Sequence, residues 1–303
     1  MTSPSAAEAV PGLIEACAEL LGRCRFPDPG TPVTCGVSGG ADSLSLLALA
    51  VAAGCAVTAV HVDHGLRPGS EAEADVVAAA ASRVGAAFRA EHVHVEPGPN
   101  LEARARAARL AVLPDALLGH TADDQAETVL LNLLRGAGLD GLAGIREDAR
   151  HPILALRRHE TRSLCDRLGL DPVDDPSNRD PRHRRNRVRA EVLPLLDDVA
   201  DRDVVPVLAR QASLLREVAD LLADEAALID PTDAAALADA PSPLARVAVR
   251  EWLRGCDPER HPPDAATVGR VLAVARLEDR ATDVGGGWRV ARTAGRLRLE
   301  PPG

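Results

Sequence analysis

Short apolar runs alternate with longer amphipathic runs from residue 33 to about residue 156. The apolar runs, rich in Val, Ala and Leu, predict β-strands at 33–37, 55–62, 87–95 and 115–120. The runs between and after them predict helices at 43–53, 71–85, 101–113 and 122–136. This alternation predicts an α/β fold, a doubly wound parallel sheet with helices on both faces. Ligands bind such sheets at the carboxyl ends of the strands, so candidate site residues should follow strands.

The pattern changes after the predicted sheet. Residues 171–183 are rich in Pro, Asp and Asn, which predicts turns, and a basic helix follows at 184–196. An Ala- and Leu-rich stretch predicts a long helix at 204–229, and residues 282–300 alternate like a β-hairpin that turns at Gly295. We therefore predict a first domain and a smaller, mostly helical C-terminal domain ending in the hairpin, with the bounds 1–209 and 210–303.

Composition narrows the class of protein. The chain has 303 residues, of which 46% are hydrophobic, enough for a full core, and it contains no apolar stretch of membrane-spanning length. Its N-terminus is acidic and amphipathic, unlike a signal peptide. The six cysteines form no CxxC pair, which argues against a zinc or iron–sulfur site and favours thiols in a reducing compartment. We expect a cytoplasmic protein with no membrane partner.

The charge distribution bears on a nucleic-acid partner. The formal net charge of -10 disfavours such a partner, but arginines are concentrated at 178–191. All 35 basic residues are Arg, Tyr is absent, and there are two Phe and two Trp. Any binding of nucleic acid should therefore depend on arginine rather than on aromatic stacking.

The sequence SGGADS at 38–43 joins the first predicted strand to the next helix. The backbone amides of Gly39, Gly40 and Ala41 would lie at a helix N-terminus, which favours a phosphate group. An ordinary left-handed turn capped by Ser or Asp explains a Gly-Gly pair equally well. The chain has no Lys, which excludes a phosphate loop built around a lysine. Because an acid repels phosphate unless a cation intervenes, Asp42 is a candidate Mg²⁺ ligand.

Two further stretches follow predicted strands. In HVDHGLR at 61–67, two histidines flank an aspartate; one histidine alone would be a satisfied residue at the sheet edge, whereas the pair favours a site. In GHTADDQAET, His120, Asp124 and Glu127 fall at i, i+4 and i+7 on one helix face, and Asp123 turns away. Capping of the helix N-terminus is the alternative for these acids. Two carboxylates at this edge suit either a metal or an ammonium group.

Arginines recur in LEARARAARL at 101–110, which carries Arg104, Arg106 and Arg109. Such runs are either solvated surface charge or contacts to phosphate groups, and both interpretations stay open.

Six motifs occur in the order and spacing of one enzyme family: SGGADS, HVDHGLR, LEARARAAR, GHTADDQAETVLLNLLRGAGLDGLAGI, VDDPSN and RNRVR. Over about residues 30 to 197 the chain resembles the tRNA(Ile)-lysidine synthetase family, which belongs to the PP-loop ATP pyrophosphatases. The resemblance implies that ATP adenylates C2 of the wobble cytidine in the CAU anticodon of an isoleucine tRNA. Free L-lysine then displaces AMP, and the lysidine formed changes codon reading from AUG to AUA.

The resemblance also implies residue roles. ATP would be held by Ser38, Gly39, Gly40, Ala41, Asp42, Ser43 and His61, with Mg²⁺ on Asp42. The catalytic residues would be Asp42, Arg109, His120, Asp124 and Glu127, the last three holding the ammonium groups of lysine. Substrate and tRNA contacts would come from Asp63, His64, Arg67, Arg104, Arg184, Arg185, Asn186 and Arg187. The first domain would be catalytic, the second would bind tRNA, and a homodimer would form.

One position departs from the family pattern. Leu110 stands where the family commonly has an aromatic residue, which removes a candidate for base stacking. Two alternative functions stay open. Another PP-loop tRNA-modifying enzyme, such as a thiolase, is disfavoured by the lack of a CxxC pair. A non-catalytic nucleotide- or RNA-binding module is disfavoured by the acids beside a phosphate loop.

Overall fold

The structure is a computed structural model that describes residues 12–63, 71–93, 104, 108, 111–174, 180–257 and 262–301. The chain divides into two compact units, Met1–Ser213 and Leu214–Gly303. The division falls within the helix Val205–Ala226, which also contains the boundary predicted after residue 209.

The first unit is built on a four-stranded parallel sheet in the order β3–β2–β1–β4. Its strands are β1 Pro32–Gly36, β2 Ala56–Asp63, β3 Ala87–His92 and β4 Leu117–Leu118. The helices that flank it are α1 Leu13–Leu21, α2 Ala41–Ala52, α3 Glu71–Val84, α4 Ala122–Leu134, α5 Leu139–Leu142 and α6 Arg158–Leu168. The predicted α/β fold is confirmed.

Helix α2 lies at the centre of this unit. Its leucines at 44, 46, 47 and 49 are fully buried, and the helix contacts α1, α3, α6 and the sheet. A helix that is apolar on every side needs neighbours all around it, and α2 has them. Its first turn, and the loop that precedes it, are therefore held firmly at the carboxyl end of β1.

Strand β4 is shorter than the predicted strand at 115–120 because its continuation packs against α2. The Leu118 N–H donates to the Arg150 carbonyl at 2.7 Å, and the chain then passes close to the first turn of α2. A Cβ atom on Gly119 would lie 2.9 Å from the carbonyl oxygen of Asp42. Since β1 pairs with β2 on one side and β4 on the other, the strand order changes direction between β1 and β4, where α/β sheets form their ligand crevice.

Three other predicted elements differ in extent. Strand β3 ends at His92, and residues 94–95 of the predicted strand lie outside the described residues, as does almost all of the predicted helix 101–113. The predicted basic helix 184–196 is three segments, α7 Arg184–Arg187, a π-helix Val188–Val192 and α8 Leu193–Ala200. Pro194 in the first turn of α8 lacks an N–H and its ring crowds the preceding turn, which the wider π-helix accommodates.

The second unit packs helices on a three-stranded antiparallel sheet. Its elements after α9 (Val205–Ala226) are α10 Ala234–Asp239, α11 Ser242–Cys256, α12 Ala265–Ala275, β5 Ala281–Gly285, β6 Trp288–Thr293 and β7 Arg296–Glu300. The hairpin predicted at Gly295 is confirmed as β6–β7, and Ala294 and Gly295 both have the positive φ that a tight hairpin turn requires. Strand β5 was not predicted as a separate strand; the glycines at 285–287 let it fold back onto β6.

Within the described part of the chain, no helix combines the length and the apolar character needed to cross a membrane.

Candidate active site

The loop Ser38–Ser43 lies at the carboxyl end of β1 and is held by its own side chains. The Ser38 N–H donates to Ser43 Oγ at 3.2 Å, and Ser43 Oγ donates to the Gly40 carbonyl at 2.8 Å. From outside the loop, the Val173 N–H donates to the Gly39 carbonyl at 3.0 Å. Helix α2 starts at Ala41, so its first amides point out of the helix end without helical acceptors. The loop is thus pre-shaped to receive an anion.

Gly39 is the loop position at which glycine is required. Its φ is +87°, in the left-handed region, and a Cβ there would lie 3.1 Å from Cγ2 of Val173. The phosphate-binding loop and the ordinary left-handed turn are therefore compatible with each other. The left-handed turn at Gly39 leaves the amides at the N-terminus of α2 accessible.

At the end of β2, His61 and Asp63 are both buried. His61 Nδ1 lies 3.0 Å from the Val37 carbonyl, the bonded arrangement expected of a satisfied residue at the sheet edge. Asp63 Oδ2 lies 3.6 Å from Nδ1 of the exposed His92. His61 is therefore fixed next to Val37, the residue before the loop, whereas Asp63 faces β3. The predicted ligand contacts of both residues stay predictions. His64, Arg67 and Arg109 lie outside the described residues.

Asp124 caps helix α4 and also faces the loop. The helix begins at Ala122 with Thr121 as its N-cap, and Asp124 Oδ2 accepts the Thr121 N–H at 2.9 Å and its hydroxyl at 3.0 Å. The capping alternative is therefore correct for one carboxylate oxygen. The other oxygen, Oδ1, accepts from Arg158 Nη2 at 3.0 Å. His120 precedes the helix, so the prediction that it shares a helical face with Asp124 and Glu127 was wrong.

Asp123 turns away from these groups, as predicted. It pairs with Arg157, whose Nε lies 3.0 Å from its Oδ2, and it accepts the backbone N–H of Arg158 at 2.9 Å. Arg157 also pairs with Asp203. This second ion-pair group fixes the start of α6 against the start of α4.

Glu127 is the most buried acid of the site, with a side chain 0% exposed, and it binds three arginines. Arg158 Nη1 lies 2.9 Å from Oε1, Arg185 Nε lies 2.7 Å from Oε2, and Arg189 Nε lies 2.7 Å from Oε1. A fully buried carboxylate needs such partners to remain charged. Glu127 therefore joins α4 to α6 and to the basic segment that begins at α7.

Arg158 connects the acids of α4 to Asp42 in the loop. Its Nε lies 3.5 Å from Asp42 Oδ2, while the Thr161 hydroxyl donates to the other Asp42 oxygen. One guanidinium thus contacts Asp42, Asp124 and Glu127. This contact brings together the phosphate loop and the acidic pair, the two features that the sequence predicted separately.

The two aspartates that share Arg158 differ in their pKa. Burial raises the pKa of Asp42, and the charge of Asp124 adds to this, although Thr161 and Arg158 oppose it. Burial alone would also raise the pKa of Asp124, but Arg158, Arg185 and the Thr121 backbone N–H together lower it. The positive charge around Asp42 therefore does not offset the effect of its burial, whereas that around Asp124 does.

The basic segment divides its residues between the site and the surface. Arg185 and Arg189 reach Glu127, whereas Arg184 and Arg187 are exposed and Arg187 pairs with Glu191 of its own segment at 2.8 Å. Of the four residues of this segment predicted to contact substrate or tRNA, Arg185 is thus turned inward. Asn186 Nδ2 donates to the Asp180 carbonyl at 2.9 Å.

Sequence reasoning missed Arg158, Thr161 and Arg189. A signal was present for Arg158, because two adjacent arginines at the start of a helix oppose the helix dipole and so call for nearby acids. Thr161 is buried and has no such signal. Arg189 lies within the motif RNRVR, whose pattern does not show which of its arginines turn toward Glu127.

Comparisons with known proteins place this geometry in a family. Residues 16–196 match the PP-loop domain family. The tRNA(Ile)-lysidine synthase of Nocardia farcinica is 46% identical over 248 residues, which cover 76% of this chain and 77% of that one. The enzyme of the same name from Mycolicibacterium paratuberculosis is 46% identical over 233 residues, 72% of each chain. The chain belongs to the tRNA(Ile)-lysidine synthase family.

As a tRNA(Ile)-lysidine synthase, the chain is an ATP-using ligase that modifies tRNA by forming lysidine, the activity of this family. Among solved structures, the U34-tRNA thiolase NcsA from Methanococcus maripaludis covers 68% of this chain and 80% of its own, with a TM-score of 0.50 and 18% identity. At that identity the likeness shows the fold alone. The predicted ligase activity is confirmed, and neither alternative function is supported by the curated relatives.

Proposed function

We propose that separate residues of this site bind the two small substrates of the lysidine reaction, ATP and L-lysine. The loop Ser38–Ser43 binds the phosphates of ATP, and Asp124 and Glu127, with His120 beside them, hold the ammonium groups of L-lysine. The observation that carries the proposal is that Arg158 contacts both Asp42 and the acids of α4, so the nucleotide and the amino acid would meet within one side chain's reach.

The loop supports ATP binding through its backbone. The outward-pointing amides at the start of α2 and the positive end of the helix dipole stabilise a phosphate group. Glycine at positions 39 and 40 lets that group approach the backbone, and the Ser38–Ser43 hydrogen bonds hold the loop open beforehand. His61, bonded to Val37 behind the loop, would support the nucleotide from β2.

Asp42 is the proposed Mg²⁺ ligand, and its surroundings suit the ion. Within the described residues, no group of three or more His, Cys, Asp or Glu side chains could hold a metal by itself. Mg²⁺ commonly keeps several waters and binds one or two carboxylates together with the phosphates of a nucleotide. Asp42, partly buried at the start of α2, offers one such carboxylate next to the phosphate loop. The ion would supply charge neutralisation at the phosphates.

The acids of α4 match the charge of lysine. Free lysine carries two ammonium groups, and the one that reacts becomes the nucleophilic amine once it has lost a proton, so the chain needs no side-chain nucleophile of its own. Asp124 and Glu127 would orient the amino acid toward the adenylated cytidine, and positioning would account for much of the rate. Arg109, with Arg104, is the proposed contact to the activated nucleotide or its phosphates, and Nε and Nη2 of Arg104 are buried.

The exposed arginines of α7 are the proposed contacts to tRNA. Arg184 and Arg187 face solvent, whereas Arg185 would act from inside the site through Glu127. Asp63, His64, Arg67 and Asn186 stay candidates for substrate contacts, and residues 210–303 for further tRNA binding. We also propose a cytoplasmic homodimer, which the molar mass from light scattering would test.

The reaction is tested by incubating the chain with ATP, L-lysine and an isoleucine tRNA transcript with a CAU anticodon. We expect pyrophosphate release that requires both lysine and the transcript, and a wobble nucleoside whose mass is that of lysidine. Release of pyrophosphate without either substrate would contradict the proposal.

The residue roles are tested with Asp124→Asn. Asparagine keeps one oxygen to cap Thr121 while removing the negative charge, so the helix start is preserved. We expect KM for lysine to rise by more than about tenfold, since a charge-assisted contact is worth about 1.5–3 kcal/mol, with KM for ATP little changed. Asp198→Asn, an exposed change of the same chemistry, is the matched control. Equal losses for ATP and lysine would instead assign Asp124 to the metal.

A further inference from the structure

Arg158 occupies the position that the proposed function assigns to Mg²⁺ and to the ammonium groups of lysine. Its guanidinium contacts Asp42, the proposed metal ligand, and Asp124 and Glu127, the proposed lysine ligands. Lysine cannot reach Asp124 Oδ1 while Arg158 Nη2 lies 3.0 Å from that oxygen.

The contacts of the individual carboxylate oxygens of Asp42 and Asp124 show which of them depend on Arg158. Asp124 Oδ2 is bound to Thr121, and one oxygen of Asp42 is bound to the Thr161 hydroxyl. The remaining oxygen of each aspartate faces Arg158, with Arg185 lying farther from Asp124 Oδ1 at 3.7 Å. Withdrawal of Arg158 would therefore release one carboxylate oxygen on the loop and one on α4, facing the same space.

Glu127 depends on Arg158 much less. It also binds Arg185 and Arg189, each through a contact of 2.7 Å. Its charge would remain compensated if Arg158 left, so the departure would not strand a buried, unpaired acid.

Arg158 is also placed so that its side chain can leave. It is the first residue of α6, where the positive end of the helix dipole disfavours a cation. Its backbone is fixed independently, because its N–H donates to Asp123 Oδ2 at 2.9 Å. The side chain is 26% exposed, so it borders solvent without any movement of the helix.

We propose that Arg158 is an exchangeable internal cation: it neutralises the acids while the site is empty, and an ammonium group of lysine displaces it from Asp124. The inference rests on the proposed function, because it takes Asp124 as the lysine ligand. Arg158 is thereby a specificity-determining residue, since a ligand must carry enough positive charge to replace a guanidinium.

The test compares Arg158→Met with Arg157→Met. Methionine keeps the length and apolar part of the side chain without its charge. Arg157 is the matched control, since it adjoins Arg158 but binds Asp123 and Asp203. Dissociation constants for L-lysine are measured by calorimetry on the full chain with ATP present, and KM for lysine is measured with the tRNA transcript.

We expect Arg158→Met to bind lysine about tenfold more tightly than the natural chain, because the ligand no longer competes for a site that Arg158 fills most of the time. Arg157→Met should not tighten lysine binding, because Arg157 occupies none of the oxygens that lysine would take. Lysine should also raise the melting temperature of Arg158→Met by more than that of the natural chain. Unchanged or weaker lysine binding in Arg158→Met would overturn the proposal.

Two further measurements apply if Arg158→Met folds poorly. Arg158→Lys keeps a positive charge and supports the fold, but an ammonium group cannot span three carboxylates as a guanidinium does. Lysine affinity should then rise by a smaller factor. In Arg158→Ala, methylguanidinium should restore thermal stability and compete with lysine, and a lack of competition would contradict the exchange.

The outcomes separate this inference from the proposed function. If the natural chain shows no lysine-dependent reaction with ATP and tRNA, the proposed function fails. If the natural chain uses lysine and removal of Arg158 does not tighten its binding, Arg158 is a structural ion pair and this inference alone fails.

Discussion

Glu127 offers the sharpest test of how the site holds together. Glu127→Gln keeps the shape of the side chain but removes the one charge that three guanidinium groups share. Removal of one partner from a buried ion pair costs about 3–5 kcal/mol. The arginine side chains at 158, 185 and 189 are 26%, 36% and 33% exposed, so they can turn toward water. We therefore expect the lower end of that range, about 3 kcal/mol.

Urea unfolding followed by circular dichroism measures this loss. With a slope of about 2 kcal/mol per molar urea, the midpoint of the first unit should fall by about 1.5 M. The chain provides an internal reference, because both tryptophans, Trp252 and Trp288, lie in the second unit. Their fluorescence should follow that unit and change much less.

The matched control is Glu191→Gln, which breaks the exposed pair between Glu191 and Arg187. Exposed ion pairs are screened by water and contribute little to stability, so its urea midpoint should move much less than that of Glu127→Gln. If Glu127→Gln shifted the midpoint no more than this control, the three arginines would not depend on Glu127 and our account of the site would be wrong.

Three other predictions concern thiols, backbone packing and acid. Cys256 is exposed, while burial raises the pKa of Cys35 to about 12, so a thiol reagent at pH 8 should modify Cys256 first and Cys256→Ser should remove that fast phase. Gly119→Ala should lower stability by about 1–3 kcal/mol and impair ATP-dependent pyrophosphate release, because its Cβ would meet backbone at 2.9 Å. Gly255→Ala, with open space in a helix, should instead stabilise by about 0.5–1 kcal/mol, and equal effects in thermal melts would contradict the packing argument. Burial alone would raise the pKa of Asp123, but its arginine partners lower it below the value in the unfolded chain. The ion pair of Asp123 therefore stabilises the fold fully above the unfolded pKa of about 4, and this stabilisation is lost as the pH falls through the lowered pKa of the folded chain. Urea midpoints between pH 5 and pH 3 should thus fall less in Asp123→Asn than in the natural chain, and equal slopes would refute the assignment.

The strands of the sheet were predictable because their signal is local. The apolar runs at 33–37 and 55–62 end within one residue of β1 and β2, where the loop glycines and the next polar residues interrupt them. The predicted length of strand β4 was too great because its end depends on partners that are distant in the sequence. Leu118 pairs with Arg150, and Gly119 meets the first turn of α2, neither of which is visible in the run of residues around them.

The phosphate loop was also predictable, since its glycines and serines act on neighbouring backbone. The arginine partners of Glu127 were not, because they come from 31, 58 and 62 residues away along the chain. Periodicity also misplaced His120 on the helix. The Thr121-x-x-Asp124 spacing is the signature of a capping box, and it agrees with the predicted helix start at residue 122, two residues after His120.

Asp124 uses one oxygen to begin a helix and aims the other into the crevice. Under the proposed function, this one side chain both begins the helix and binds lysine, so a substitution at Asp124 would change both. An engineer who wishes to alter the amino-acid preference of this enzyme should leave that aspartate in place. Diversity is better introduced at Arg158, where a change of side chain leaves the cap intact.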